Sequence, residues 1–276
     1  MNVWQADLFR LLSSIDGDIL WILLICNSEK ELVYQAQSSQ SEVNSKWLIN
    51  QLEKAIQNNP PDKIEIFRPQ IVGLFSIATK ALNISLETTR RTGAIKEKVR
   101  QYLLGESLET LSKNYLGLDK PPPQNVPENV WGENWSFVSI LSEEIQKFTQ
   151  ERPLLFCDLP ESLLATNSRL NPTTKVPGIV IYGGKKSLTL GRWLSEKQPV
   201  SLNYIPTEIG KSGGLILESG LVDRWILATF ESETVATAAK AYEQAKQESL
   251  GLHFLILQPD DSGMTYTGFW LLKNEE

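Results

Sequence analysis

The stretch Lys120-Pro121-Pro122-Pro123-Gln124-Asn125-Val126-Pro127-Glu128-Asn129 divides the chain of 276 residues. Three consecutive prolines hold an extended backbone and lack the amide protons that a central strand needs, so the stretch reads as a linker or a rigid strap. It separates a domain over residues 1–116 from one over residues 135–276, with residues 117–134 as the connection. Each half is long enough to bury its own core. Hydrophobic residues make up 41% and charged residues 22%, proportions of an ordinary globular chain. The fold class expected is α/β with mixed sheets, in two domains.

Before the proline run, residues 18–28 and 31–37 predict two strands joined by a short polar turn. Residues 41–58 place Val43, Trp47, Leu48, Leu52, Ala55 and Ile56 at helical spacing, with Ser41 as the N-cap. Residues 63–67 alternate as a strand, and residues 71–82 and 88–104 read as helices, giving the order β-β-α-β-α-α. After the run, residues 135–149, 187–195 and 234–248 read as helices and residues 163–174 as a polar loop. Strands are expected over 154–157, 177–182, 200–205, 214–218, 224–230, 252–258 and 264–272, the last two around a turn at Asp260-Asp261-Ser262-Gly263. Interleaved strands and helices argue for a mixed sheet flanked by helices.

The helix-strand-strand-strand-helix-strand run in the second half resembles restriction-endonuclease-like folds. Such nucleases hold a metal with an acidic residue on one strand and an acidic-x-Lys element on the next. Glu218 would be the first, but the following strand, Arg224-Trp225-Ile226-Leu227-Ala228-Thr229-Phe230, has no internal acidic residue or lysine. The half is expected to be such a fold without an active site.

Other catalytic templates fail as well. His253 is the single histidine and no Gly-x-Ser-x-Gly or Cys-x-x-Cys occurs, so neither a serine triad nor a zinc site is expected. Cys26 and Cys157 sit in apolar runs and are expected to be buried. Gly178 and Gly183 have Walker spacing, but Gly184 stands where the lysine is needed. What remains of Gly183-Gly184-Lys185-Lys186-Ser187 is a glycine turn opening a helix, where backbone N–H groups favour an anion. The chain is therefore not expected to be an enzyme, and no catalytic residue, metal or cofactor is assigned.

Lys plus Arg total 27 and Asp plus Glu 33, a net charge of −6, the wrong sign for a protein that coats nucleic acid without selectivity. Residues 117–276 hold most of the excess, with 14 basic and 20 acidic side chains, whereas residues 1–116 hold 13 of each. Within the first half, Arg68, Lys80, Arg90, Arg91, Lys96, Lys98 and Arg100 face only Glu87 and Glu97 in sequence, a local surplus of about +5. This stretch reads either as a solvated face or as a phosphate-tracking surface, with Arg forks as the bidentate contacts. Of the eight tryptophans, Trp21, Trp47 and Trp193 read as core, while Trp131 and Trp135 at the linker exit read equally as base-stacking platforms or as a domain seam. No apolar run reaches the about 18–20 residues of a membrane span, and the first residues lack the layout of a signal or transit peptide. A cytoplasmic protein is expected.

Several stretches taken together are far more specific than these motifs. They are Trp4-Gln5-Ala6-Asp7, Phe67-Arg68-Pro69-Gln70, Arg90-Arg91-Thr92, Pro127-Glu128-Asn129-Val130-Trp131-Gly132-Glu133, Gly183-Gly184-Lys185-Lys186-Ser187-Leu188, Gly251-Leu252-His253-Phe254, and the run from Gln258 to Leu272. From Trp4 to Leu272 the chain resembles the Tab-two family of cyanobacteria and chloroplasts. The resemblance implies an RNA-binding protein that supports translation and biogenesis of photosystem subunits by binding A/U-rich single-stranded leader RNA. It implies the ribosome or photosystem subunits as further partners, and a place in the cytoplasm or at the periphery of the thylakoid surface. It also implies a role in RNA binding for the terminal Trp270-Leu271-Leu272. Combined with the charge pattern, the expected RNA contacts are Arg68, Arg90, Arg91, Lys96, Lys185, Lys186, Trp270, Leu271 and Leu272. The alternative is a photosystem assembly factor that binds protein and makes no direct RNA contact.

Overall fold

A computed structural model describes residues 2–12, 19–57, 59–105, 116 and 120–274. The expected strand start at Asp18, the helix end at Asn58 and residues 117–119 of the expected linker lie outside the described residues. The chain forms two units, Met1–Asp119 and Lys120–Glu276.

The first unit is built on one five-stranded sheet. Strands β1 (Val3–Leu12), β2 (Ile19–Asn27) and β3 (Leu32–Ser39) form an antiparallel meander. Helix α1 (Ser45–Ile56) leads to β4 (Lys63–Ile66), which pairs parallel with β1. A single turn of 3-10 helix opens α2 (Val72–Ala81), and β5 (Ser85–Thr88) then pairs parallel with β4 before α3 (Gly93–Gly105). The strand order is β3-β2-β1-β4-β5. Trp4, Ala6 and Leu8 of β1 pack with Leu48, Leu52, Phe75 and Ala78 of α1 and α2. Phe9 and Leu11 join Ala94, Ile95, Val99 and Leu103 of α3 in a separate cluster. The sheet is therefore covered by apolar clusters from both sides.

That double burial explains what the sequence reading missed. A strand covered on both faces has no polar-out alternation, and β1 was not read as a strand, although Trp4, Ala6 and Leu8 mark one of its faces. β5 lies mostly in the gap between the two expected helices, and only its last residue, Thr88, falls within the expected helix over 88–104. The N-cap of α1 is Asn44 and not Ser41: its Oδ1 accepts the Trp47 N–H at 3.0 Å.

The second unit contains two sheets where one mixed sheet was expected. The four-stranded sheet has the order β10-β11-β12-β6. In it β10 (Pro199–Glu208), β11 (Ser212–Ser219) and β12 (Asp223–Glu231) form an antiparallel meander, and β6 (Gln124–Asn125) adds in parallel to β12. The five-stranded sheet has the order β7-β9-β13-β14-β8, from β7 (Asn134–Leu141), β8 (Phe156–Asp158), β9 (Lys175–Tyr182), β13 (Leu252–Gln258) and β14 (Gly268–Lys273). Its β9–β13 and β14–β8 pairs are parallel. The strand expected to complete the endonuclease-like run, β13, thus pairs with β9 and β14 and not with the β10–β12 meander, so that resemblance is corrected here.

Four helices complete the unit: α4 (Glu144–Glu151), α5 (Glu161–Asn167), α6 (Ser187–Lys197) and α7 (Glu233–Glu248). Ser232 caps α7 by accepting the Val235 N–H. Residues 135–149, expected as one helix, are β7 followed by α4, and residues 163–174, expected as a loop, begin inside α5. The proline-rich stretch is part of this unit: β6 lies in it, and Val126 and Val130 are buried in the larger core cluster. Two apolar anchors four residues apart hold it against the core, so its described residues form a strap. Cys157 is exposed, contrary to expectation, because β8 is an edge strand, while Cys26 is buried.

Candidate nucleic-acid interface

Because β1, β4 and β5 run parallel, the register of the first sheet sets Asp7 level with the segments that follow β4 and β5. Those segments contain Arg68 and Arg90–Arg91–Thr92. Ligands of open α/β sheets bind outside the carboxyl ends of such strands, so this edge is the place to look for function. Arg68 Nε donates to Asp7 Oδ1 at 2.6 Å, with the two side chains 14% and 0% exposed. Burial pushes the Asp7 carboxyl above its ordinary range, against the pull of Arg68. The guanidinium also lies over the Phe67 ring, 4.8 Å from its centroid.

Lys96 also approaches the Phe67 ring. Its Nζ donates to the Arg90 carbonyl at 2.6 Å and sits 5.2 Å from the Phe67 centroid. Gln5 of β1 caps α3 from outside the helix: its Oε1 accepts the Ala94 and Ile95 N–H groups, and its Nε2 donates to the Arg91 carbonyl. Two of the donors that a helix start leaves open are satisfied in this way. Arg68, Arg90 and Lys96, expected on an RNA-facing surface, are therefore turned inward, Arg68 half-buried and the other two buried. Arg90 and Lys96 are buried, and Arg68 is spent on a buried acid. Arg91 and Lys98 are half-exposed, and Arg100 and Lys80 are exposed. The physical reason for the correction is that a buried carboxylate recruits a cation when the fold brings one near.

In the second unit, three of the stretches that mark the family resemblance meet at one end of the five-stranded sheet. They are the end of the strap leading into β7, the turn after β9, and the turn after β13. Gly183 N–H donates to Gln258 O, Gly184 N–H to Pro259 O, Lys186 N–H to Gly183 O, and Ser187 Oγ–H to Gln258 O. Gly184 has φ +54°, and a Cβ there would collide with the Glu133 carboxylate. The turn's donors are thus used inside the protein, and a carboxylate already lies beside it. The backbone anion cradle expected from sequence is not formed. Lys185 and Lys186 are exposed, and Lys186 Nζ reaches across to the Glu128 carbonyl at 2.7 Å.

Trp270, Leu271 and Leu272 are 1%, 0% and 0% exposed. They lie on β14, between β13 and β8, with Trp270 and Leu272 in the cluster shared with the four-stranded sheet and Leu271 in the cluster beneath α4 and α5. The Trp270 ring stacks on Phe156 at 6.5 Å. They have no surface to offer RNA in the folded domain, which corrects the expected contact. The signal was present in the sequence, since four consecutive apolar residues, Phe269 to Leu272, are what a strand buried on both faces requires.

His253 is fully buried and structural. Its Nε2 accepts the Leu202 N–H at 2.9 Å, and its Nδ1 lies 2.9 Å from the Gly251 carbonyl, which fixes the proton on Nδ1. Burial pushes its pKa down to about 3, with Lys246 adding to the effect. Lys246 Nζ donates to Leu202 O, Asn203 Oδ1 and Glu243 Oε1. This network ties α7 to β10 and β13 and has its hydrogen bonds filled. Glu218, the residue considered for a metal, instead faces Arg224 at 3.7 Å and accepts from Ser201 Oγ. No group of three or more His, Cys, Asp or Glu among the described residues is placed to hold a metal. No helix among the described residues is long and apolar enough to cross a membrane.

Solved structures with some likeness include a simian T-cell lymphotropic virus intasome in complex with PP2A regulatory subunit B56 gamma, at 12% identity and TM-score 0.29, covering 49% of this chain and 61% of that chain. The HTLV-2 integrase catalytic core domain with magnesium, trimeric form, matches at 17% identity and TM-score 0.26, covering 41% and 81%. Likeness this slight bears no argument. The chloroplastic TAB2 homolog of Arabidopsis thaliana is 29% identical over 98% of this chain and 74% of its own length, and that of Zea mays 26% identical over 98% and 70%. The sequence model of the RNA-binding protein Tab2/Atab2 N-terminal domain matches residues 3–102, and that of the C-terminal domain matches residues 113–273. With both halves matched in order, the chain belongs to the Tab2/Atab2 family of RNA-binding proteins.

Proposed function

We propose that this chain binds A/U-rich single-stranded leader RNA of photosystem messages and supports translation and biogenesis of photosystem subunits, in the cytoplasm or at the thylakoid surface. The observation behind this reading is that both halves of the chain, and not one, match the family of RNA-binding proteins. The likeness to chloroplastic relatives supports a role in the photosynthetic apparatus. In the first unit, with Arg90 and Lys96 buried and Arg68 engaged by Asp7, the cations of the basic run with surface for phosphate are the half-exposed Arg91 and Lys98 and the exposed Lys80 and Arg100. At the glycine turn of the second unit they are Lys185 and Lys186.

Fluorescence anisotropy with A/U-rich and G/C-rich single-stranded RNA at about 50 and 200 mM salt tests the proposal, since phosphate contacts weaken steeply over that range. Tight, salt-sensitive binding with an A/U preference is expected, weakened in a combined Arg91→Ala and Lys98→Ala variant. Absence of binding by the folded chain would refute it. The acidic excess of residues 117–276 favours a second reading, a photosystem assembly factor that docks protein. A protein that stays bound through nuclease treatment, with no affinity for free RNA, would point there.

A further inference from the structure

The strap that joins the proline run to β7 borders an open depression of about 320 Å³ within the second unit, lined by Asn125, Val126, Glu128, Trp131, Lys186 and Leu227 among others. Its volume sits at the lower end of small-molecule sites, enough for one planar ring system and not for a folded peptide. Trp131 is half-buried: it packs against the main core and also lines the depression.

The tryptophan is held before any ligand arrives. Pro127 O accepts the N–H groups of both Val130 and Trp131, at 2.9 and 3.1 Å, and the buried Val126 and Val130 pin the turn on either side. Gly132 lies so close to the end of β9 that a Cβ would fall 2.7 Å from Tyr182 O, and Glu133 N–H donates to that same carbonyl at 2.7 Å. The residue after Trp131 is thereby clamped to the sheet. Pre-organised aromatic rings lose little entropy on binding.

The polar groups around the ring match what a nucleotide presents. Asn125 stands on the two-residue strand β6 at the sheet edge, and its side-chain amide has both a donor and an acceptor to offer a base edge. Glu128 is exposed at the same depression and accepts from an exocyclic amine. Lys186 lines the depression and spends one of its three donors on Glu128 O, and the next residue back in sequence, Lys185, is exposed, so one ammonium group at the site and a second beside it in the chain are available to a phosphate as point charges.

We propose that this depression is a nucleotide pocket, in which one base of single-stranded RNA stacks on Trp131 while Asn125 meets its edge and Lys185 and Lys186 meet its phosphate. Only an unstacked base has a free face for the ring, which selects single-stranded over duplex RNA. The inference rests on the RNA-binding reading above and deepens it by giving the second domain a base contact that the buried Trp270 does not provide.

The test uses the full chain, a fluorescein-labelled single-stranded RNA oligonucleotide, and ultraviolet cross-linking of the unaltered protein with the linked residue located by mass spectrometry. Cross-linking at Trp131 is expected. Affinity should fall about 5- to 150-fold in Trp131→Ala, the worth of one stacked base, and stay within about 3-fold in Trp131→Phe, which keeps a stacking face. RNA binding with cross-links elsewhere and unchanged affinity in Trp131→Ala overturns the pocket and leaves the RNA reading standing. Absence of RNA binding by the folded, unaltered chain overturns both. If Trp131→Ala does not fold, the cross-link on the unaltered chain decides the matter alone.

Discussion

Acidification should weaken the second domain through His253, the chain's single histidine. Its folded pKa is pushed down to about 3 from an ordinary 6.5, first by burial and then by Lys246. A depressed folded pKa means that the unfolded chain binds the proton first. Stability from the neutral imidazole is therefore fully present above pH 6.5 and is lost as pH falls from there toward 3. Between pH 7.5 and pH 5 the loss is about 2 kcal/mol by linkage. The geometry gives the same answer: both ring nitrogens are engaged, and a second proton on Nε2 would face the Leu202 N–H that it now accepts. Urea unfolding of the second domain at pH 7.5 and pH 5.0 measures the loss. His253→Gln keeps an oxygen acceptor and cannot titrate, so its pH slope should be flatter by that amount even if its stability at pH 7.5 is lower. A single imidazole signal in nitrogen NMR, still neutral at pH 5 with the proton on Nδ1, checks the cause directly. An imidazole that titrates near 6.5 in the folded chain, or equal slopes for the two proteins, would refute the reasoning.

Arg68→Ala should destabilise the first domain by about 3–5 kcal/mol, because Asp7 is left as a buried charge without its partner. Chemical unfolding checks this, and a variant of unchanged stability with reduced RNA affinity would return Arg68 to the list of contacts. Trp270→Ala should cost the second domain about 3–5 kcal/mol by opening a cavity where a fully buried ring now packs on Phe156. Its RNA affinity should fall only as far as its folded fraction does, measured by thermal unfolding and anisotropy on the same sample. Normal stability with lost binding would show that the strand opens to reach RNA.

Local pattern made much of this protein legible. The β2–β3 hairpin, α1, α7 and the division at the proline run follow from hydrophobic period, caps and proline chemistry, each a property of a few neighbouring residues. The stretches that mark the family were legible for the same reason. Residues 135–149 misled because Val138, Leu141, Ile145 and Phe148 recur at helical spacing, whereas β7 uses Trp135 and Phe137 on one face and Val138 and Ile140 on the other. A strand with apolar residues on both faces and a short helix after it mimic one amphipathic helix.

The amino-acid sequence by itself determined two α/β domains, a family, and a basic run without recognisable catalytic chemistry. Tertiary structure alone decided which members of that run face solvent. Asp7 lies 61 residues from Arg68 in sequence, and only the parallel register of β1 and β4 brings the two together and turns the arginine inward. In the same way the sheet order placed β14 between two strands and took Trp270, Leu271 and Leu272 out of reach, while it gathered the strap, the β9 turn and the β13 turn at one end of the second unit. Charge and aromaticity are properties of residues, but exposure belongs to the packing of segments far apart in the chain, and binding depends on exposure.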